Sequence, residues 1–337
     1  MKKFFCKLAW FILPLTVFLA DGFLPSSTFA YRPWEAQRFV NNRDFISPFY
    51  PNQDLVMYSM GDLCHHTAFA IVRRERWITD SLGFRNDYFT RKAKVVLIGD
   101  SFFAGAGLDQ DSTITNVLKR KLNTEVYSMA PASFDDFIYL ISNSVIDKPD
   151  MVIFSINEQK IPAPIVANNQ RTIQLHPDDF SVFRDKATRL YGINYLKARL
   201  LKAQGKGVPG KIDNTMFFST AHARDTLHGK VNEVVDNIAS FDAYCRSIGV
   251  KFLLLPLPNK ESVYYENVPF AYKQGYLEQV DSLLAVKKVP TVNALDVFIA
   301  RKKVSTRYLY QKDDTHWNPE GVELIADAIC SKVRNVD

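Results

Sequence analysis

A chain of 337 residues with 47% hydrophobic and 23% charged residues has material for one large α/β domain with additions, or for two smaller domains, and its composition excludes an intrinsically disordered chain. The net charge of +6 is spread along the sequence, and pairs such as Arg73-Arg74 and Lys302-Lys303 read as solvated faces, so nucleic acid is not an expected partner. Four cysteines form no C-x-x-C pair, which excludes a zinc ribbon.

The chain opens with MKKFFCKLAWFILPLTVFLADGF, in which Lys2, Lys3 and Lys7 frame the start of an apolar run of 13 residues from Leu8 to Ala20. Residues 1–30 are therefore expected to be an export signal, either cleaved near Ala30 or kept as a single-pass N-terminal membrane anchor. The run is short against the ~20 residues of a membrane span, but Phe4 to Cys6 and Phe23-Leu24 extend it, and the anchor is the preferred reading. Lysines on the N-terminal side place the remainder outside the cytoplasm, on the periplasmic side. In such a compartment a disulfide among Cys64, Cys245 and Cys330 and three buried thiols are both open. Cys64-His65-His66 looks ligand-like, yet neighbouring side chains point apart and no second cluster accompanies them, so no metal is expected.

Residues 31–90 are rich in aromatics, Arg and Asn without clean periodicity and read as an N-terminal extension packed on the main domain, 91–337. Val95 to Ile98 is a short continuous apolar run, the mark of a strand buried on both faces. DSTITNVLKRKL follows as a helix with Asp111 as its N-cap, then a strand in TEVYS, a helix over 134–146 and a strand in MVIFSI. Residues 160–235 interrupt the rhythm and read as a helical insertion over one edge of the sheet, with AQGKGVPGKIDN as a flexible stretch. VKFLLL (strand), a helix near 271–286, PTVNAL (strand) and a helix from Pro319 to about Val333 complete the pattern. Five alternations of strand and helix predict a five-stranded parallel sheet in a three-layer α/β/α sandwich.

In open parallel sheets ligands gather at the carboxyl ends of the strands, and Ser101 falls at such an end. The following GAGLDQ has Gln110 where a dinucleotide loop needs its third glycine, no G-K-[ST] is present, and Phe103 replaces the second glycine of G-x-S-x-G. What remains is a serine in need of a base. YQKDDTHWNPEG, residues 310–321, offers His316 ahead of a helix opened by Asn318 and Pro319, with Asp313 and Asp314 just upstream. A serine hydroxyl becomes a nucleophile when an imidazole takes its proton, and a carboxylate fixes the tautomer of that imidazole.

Gly99-Asp100-Ser101 together with Asp314-x-His316-Trp317-Asn318-Pro319-x-Gly321 resembles the SGNH (GDSL-like) hydrolases over about residues 76–333. GDLCHHTAFA, WITDSLGFRN, LPLPNKESVYYENVP and the DTHW ending look like the branch with the periplasmic alginate O-acetyltransferase proteins and related cell-envelope polysaccharide acetylation proteins. The resemblance implies a flavodoxin-like fold, no cofactor, and a triad of Ser101 and His316 with the acid at Asp314, two before the histidine, although the wider superfamily would favour Asp313. It implies an oxyanion hole from the N–H of Ser101, a main-chain donor near Ser133 and Asn157. Trp317 with Tyr264 and Tyr265 forms a candidate platform for a sugar ring, and Lys260 is a candidate contact for an anionic glycan. The activity implied is acyl transfer, most simply of acetyl, to a polysaccharide, with a membrane-bound O-acyltransferase as partner. An esterase using the same triad and a non-catalytic glycan-binding or assembly subunit are the alternatives.

Overall fold

The computed structural model describes residues 2–40, 45–158, 160–166, 174–218 and 229–334; parts of the expected insertion, 167–173 and 219–228, lie outside the described residues. In chain order the N-terminal part holds α1 (Lys2–Phe23), α2 (Pro33–Gln37), β1 (Asp54–Ser59) and β2 (Arg73–Ile78). Then come β3 (Val95–Ile98), α3 (Ile114–Leu122), β4 (Val126–Ser128), α4 (Phe134–Ser142) and β5 (Met151–Asn157). The insertion contributes α5 (Asp179–Arg189), α6 (Tyr191–Leu200), β6 (Gly207–Pro209) and β7 (Met216–Phe218). The chain closes with α7 (Val231–Ser247), β8 (Lys251–Leu257), α8 (Lys260–Val263), α9 (Tyr276–Val286), α10 (Ala294–Val304) and α11 (Pro319–Arg334).

The central sheet is parallel, in the order β4-β3-β5-β8. All four residues of β3 and all seven of β5 are buried, as strands covered on both faces require. One helical group joins α3, α10 and α11, and another joins α7 and α9. On the second, Phe134 of α4 stacks on Phe241 of α7 at 4.3 Å between centroids. The architecture is the expected α/β class, with four strands in the parallel sheet among the described residues in place of five. PTVNAL supplies only one parallel bridge, Leu254 to Thr291, in which Leu254 N–H donates to Pro290 O (2.8 Å) and Val292 N–H to Leu254 O (2.9 Å). Pro290 has no N–H to extend the ladder, and Asn293 already caps α10 by accepting from Asp296 N–H (3.0 Å). The cap of α3 is Thr113 rather than Asp111, which lies in the preceding 3₁₀ turn.

β1 and β2 form an antiparallel hairpin that the sequence reading left as irregular chain. In β2, Glu75 and Trp77 point inward and Arg74 and Arg76 outward. Trp77 meets Phe49 edge to face at 5.2 Å, and the guanidinium of Arg85 lies over its indole at 3.8 Å. Arg85 is buried and spends its donors on carbonyls: Arg76 (2.9 Å), Leu108 (2.7 Å) and Ala104 (3.2 Å). The extension is thereby pinned to the loop that follows Ser101. Cys64, Cys245 and Cys330 are separate buried thiols, the second of the two open readings.

Helix α1 is long and apolar enough to cross a membrane. Its last turns meet the insertion, where Phe183 of α5 lies against Phe18 (6.5 Å) and Phe23 (5.1 Å), and Gly192 N–H donates to Asp21 Oδ1 (2.9 Å).

Candidate active site

Gly99-Asp100-Ser101 leaves the carboxyl end of β3 where Gly99 passes close to the neighbouring β5, so that a Cβ at this position would meet the Ser155 side chain. Asp100 Oδ1 accepts from Phe102 N–H (3.0 Å) and its other oxygen accepts from Asn157 Nδ2. Ala104 N–H returns to Asp100 O and Ala106 N–H to Ser101 O, each at 3.0 Å, so the loop winds back on itself. The nucleophile candidate thus rests on the two central strands of the sheet.

The second half of the site is the loop before α11. It is closed by Gln311 N–H donating to His316 O (3.0 Å), and α11 starts at Asn318, whose Oδ1 accepts from Gly321 N–H (2.9 Å), followed by Pro319 at the first helical position. The two halves, 215 residues apart in sequence, meet with His316 Nε2 2.8 Å from Ser101 Oγ. On the other side of the ring, His316 Nδ1 lies 2.5 Å from Asp314 Oδ1. Ser101, His316 and Asp314 are therefore in register for proton transfer from hydroxyl to imidazole, with the carboxylate fixing the tautomer.

Asp314 is fully buried. Burial alone would raise its carboxyl, but the charge and hydrogen bond of His316, followed by Arg32 and Arg73, outweigh it and hold the group below the ordinary carboxylate range. For His316 the balance is the mirror image: burial disfavours the imidazolium, and Asp314 then outweighs burial, holding the ring above its ordinary 6.5. Asp314 Oδ2 accepts from Asp62 N–H (2.9 Å) and faces Arg32 Nη1 at 3.5 Å. Asp62 in turn accepts from Thr315 through its N–H (2.9 Å) and its hydroxyl (2.7 Å). Arg32 and Asp62 are contributions that sequence reasoning missed, since a contact spanning 252 residues leaves no local pattern.

The other expected site residues take different places. Asp313 points away from His316: it pairs with Arg73 and accepts from Gly61 N–H (2.9 Å) and Ile71 N–H (2.9 Å), tying the loop to the extension. A Cβ at Gly61 would overlap the Asp313 carbonyl, so a glycine is needed for that close approach. Trp317 is fully buried, edge-on to Phe102 at 5.5 Å, and cannot serve as an exposed sugar platform. Tyr264 is also core, its hydroxyl accepting from Leu309 N–H (2.8 Å). Lys260 is buried rather than offered to a glycan: its ammonium donates to the carbonyls of Gln311 (2.5 Å), Lys312 (3.0 Å) and Asp314 (3.1 Å). Burial lowers it to about 8. It holds the His316 loop from behind.

Of the oxyanion donors expected, Ser133 spends its N–H on Asp136 Oδ2 (2.8 Å) in the capping box of α4, a correction to that expectation. Asn157, expected as a donor just after a strand ending at Ile156, is the last residue of β5 and donates its side-chain amide to Asp100. Both line a cavity of about 130 Å³ with Gly99, Phe134 and Phe154. Asp62, Asp314 and His316 bring donor atoms within 4.8 Å of one another, but the carboxylate and imidazole of the last two are committed to each other and Asp62 to Thr315. His65 stacks on Tyr31 at 4.1 Å, with its Nδ1 2.9 Å from that of His66.

Residues 213–337 match a family model described as SGNH hydrolase-like domain, acetyltransferase AlgX. The match includes Asp314 and His316; Ser101 precedes it. Curated proteins give no match. Solved structures similar to the chain include a lipase/acylhydrolase from Enterococcus faecalis, 16% identical, covering 73% of this chain and 97% of its own, TM-score 0.38. An alpha/beta hydrolase enzyme from the metagenome of Lake Arreo, Spain, is 15% identical over 74% of this chain and 98% of its own, TM-score 0.38. An acetylxylan esterase from Geobacillus stearothermophilus is 12% identical over 73% and 95%, TM-score 0.36. These low TM-scores add no argument to the geometry above.

Proposed function

We propose, with an SGNH-type enzyme of the AlgX-like branch as the premise, that the chain is an extracytoplasmic serine O-acyltransferase that passes acetyl to a polysaccharide hydroxyl through acyl-Ser101. The observation that carries the proposal is the continuous line from Ser101 Oγ through His316 to Asp314, at 2.8 Å and 2.5 Å. Ser101 attacks the acyl carbonyl as His316 Nε2 takes its proton, and the imidazolium is steadied by Asp314. The tetrahedral oxyanion is held by Ser101 N–H, and the Asn157 amide joins it on turning from Asp100. Collapse breaks the bond to the donor's leaving group, which receives the proton from His316. The acceptor hydroxyl then gives its proton to His316 and attacks acyl-Ser101, and a second collapse releases the ester and restores Ser101.

Transfer is supported by the acetyltransferase in the description of the matching family. The apolar α1, with lysines ahead of it, supports a signal or anchor that puts residues 31–337 outside the cytoplasm. An acetyl donor made available across the membrane then requires a partner of the membrane-bound O-acyltransferase class. The test is incubation of the full chain with p-nitrophenyl acetate and a panel of exported polysaccharides, read by mass spectrometry of the glycan. Ester on the glycan that disappears in Ser101→Ala supports transfer. Acetate released at the same rate with and without glycan, and no glycan ester, would make the chain an esterase.

A further inference from the structure

We infer that the α5–α6 hairpin of the insertion lies on the surface of an anionic lipid bilayer, with the apolar stripe of α6 as the contacting face. The inference rests on the reading of α1 as a retained anchor and extends it to a second, non-spanning contact.

Three observations converge on this hairpin. The first is position. α5 packs along the last turns of α1 through Phe183, and Gly192, in the first turn of α6, donates its N–H to the buried Asp21 of α1. If α1 spans a membrane, α5 and the start of α6 stand where it emerges.

The second is the face presented. Ile193, Leu196 and Leu200, spaced three and four apart, share one side of α6; Leu196 is 58% exposed and Leu200 75%, and Leu201 continues the patch at 70%. Phe180, on the first turn of α5, is 68% exposed. Apolar side chains clustered in this way on an exposed helix mark a contact surface.

The third is charge. From Lys186 to Ile212 the sequence holds seven basic residues and no Asp or Glu, including Lys197, Arg199 and Lys202 around the stripe. A short helix with Leu and Ile on one side and Lys and Arg beside them is the pattern of a segment lying in the headgroup region, its basic residues drawn to anionic headgroups. A glycan or an acidic protein surface would match the charge but would leave the leucines in water.

The placement bears on the catalytic rim. The ten-residue α6 leads away from α1, and just beyond it Gly205 N–H donates to His65 O (3.0 Å), next to the segment whose Asp62 braces Asp314. At 1.5 Å per residue, α6 spans roughly 15 Å. A bilayer-bound hairpin would hold the His316 side of the site at a fixed, short height above the lipid, where an acyl donor delivered through a membrane partner would emerge.

The test uses the full chain in lipid nanodiscs, with Cys6→Ser to remove the thiol of α1 and a bimane label on Leu196→Cys or Leu200→Cys. Val286→Cys and Val304→Cys, 79% and 78% exposed in the main domain, serve as controls. With nitroxide-bearing headgroup lipids, the expected result is several-fold stronger quenching at 196 and 200 than at 286 and 304. Replacing anionic by zwitterionic lipid, or introducing Lys197→Glu, Arg199→Glu and Lys202→Glu together, should weaken it. Equal quenching at all four sites, with the chain still retained on the discs, overturns the hairpin contact and leaves the anchor standing. Loss of the chain from the discs overturns both. Shielding of 196 and 200 in detergent alone, with cross-linking between copies, would make the stripe a self-association surface and also overturn the inference.

Discussion

The two halves of the candidate site are held by different means. Ser101 sits on a turn at the carboxyl end of β3, beside β5, with its backbone fixed by the sheet and by the close approach at Gly99. Among the described residues, the His316 loop has no strand beneath it beyond the bridge between Tyr310 and Trp317. Polar contacts from four distant segments hold it: Arg32, then Gly61 with Asp62, then Arg73, then Lys260 from behind. The candidate nucleophile is thus placed by the sheet, whereas the candidate base and its acid are braced by the N-terminal extension and one buried lysine. Disturbing the first should stop the chemistry, and disturbing the second should shift its geometry, its pH dependence and the stability of the chain.

The largest effects are expected at the triad. Ser101→Ala and His316→Ala should each lower kcat by on the order of 10⁴–10⁶ with the fold retained, measured with an ester substrate and circular dichroism. Asp314→Asn should lower kcat about 10⁴-fold, because the amide favours the wrong tautomer of His316. The adjacent Asp313→Asn should do the reverse of this pattern: a loss of about 3–5 kcal/mol of stability in urea unfolding from a poorly compensated Arg73, with a much smaller change in kcat once folded. If the two asparagine variants exchanged these phenotypes, the assignment of the acid would fall.

Next come the residues that brace the loop or fill the core. Lys260→Met should cost about 1–3 kcal/mol by leaving buried carbonyls of the His316 loop without a donor, and should lower kcat as the loop relaxes. Tyr264→Phe should cost a similar amount by stranding Leu309 N–H and should leave KM for the acceptor unchanged. A KM effect without a stability effect at either position would restore them as substrate contacts.

The smallest effects are on pH dependence. His316 must be neutral to accept the proton of Ser101, and Asp314 holds its ionisation above 6.5, so the acid limb of kcat/KM should lie above that value. Asp62 favours the imidazolium, so Asp62→Asn should move that limb to lower pH; Arg32 opposes it, so Arg32→Gln should move it higher. Shifts in the same direction for both variants would show that the braces act through loop geometry instead of charge.

Much of this arrangement was legible in the chain. The continuous apolar runs of β3, β5 and β8 gave away a parallel sheet, and a serine at the end of one run with Asp-x-His before a capped helix pointed to the meeting of Ser101 and His316. The fifth strand was overread because PTVNAL has the composition of a strand, while Pro290 and the Asn293 cap leave it one bridge. The β1–β2 hairpin was missed because its inward residues, Glu75 among them, are not all apolar. Trp317, Tyr264 and Lys260 were misplaced for a common reason: residue type reports what a side chain can bind, and burial decides what it meets. Arg32 left no trace, and Asp62 lay in the quoted GDLCHHTAFA without its role being read, since both act only when the extension folds against the loop.

The central claim is that Ser101 is the nucleophile activated by His316. Its most direct test is reaction of the full chain with a fluorophosphonate, followed by peptide mass spectrometry to locate the adduct. The account predicts one adduct, on Ser101, lost in Ser101→Ala and strongly slowed in His316→Ala; an adduct on another residue, or labelling untouched by His316→Ala, would contradict it.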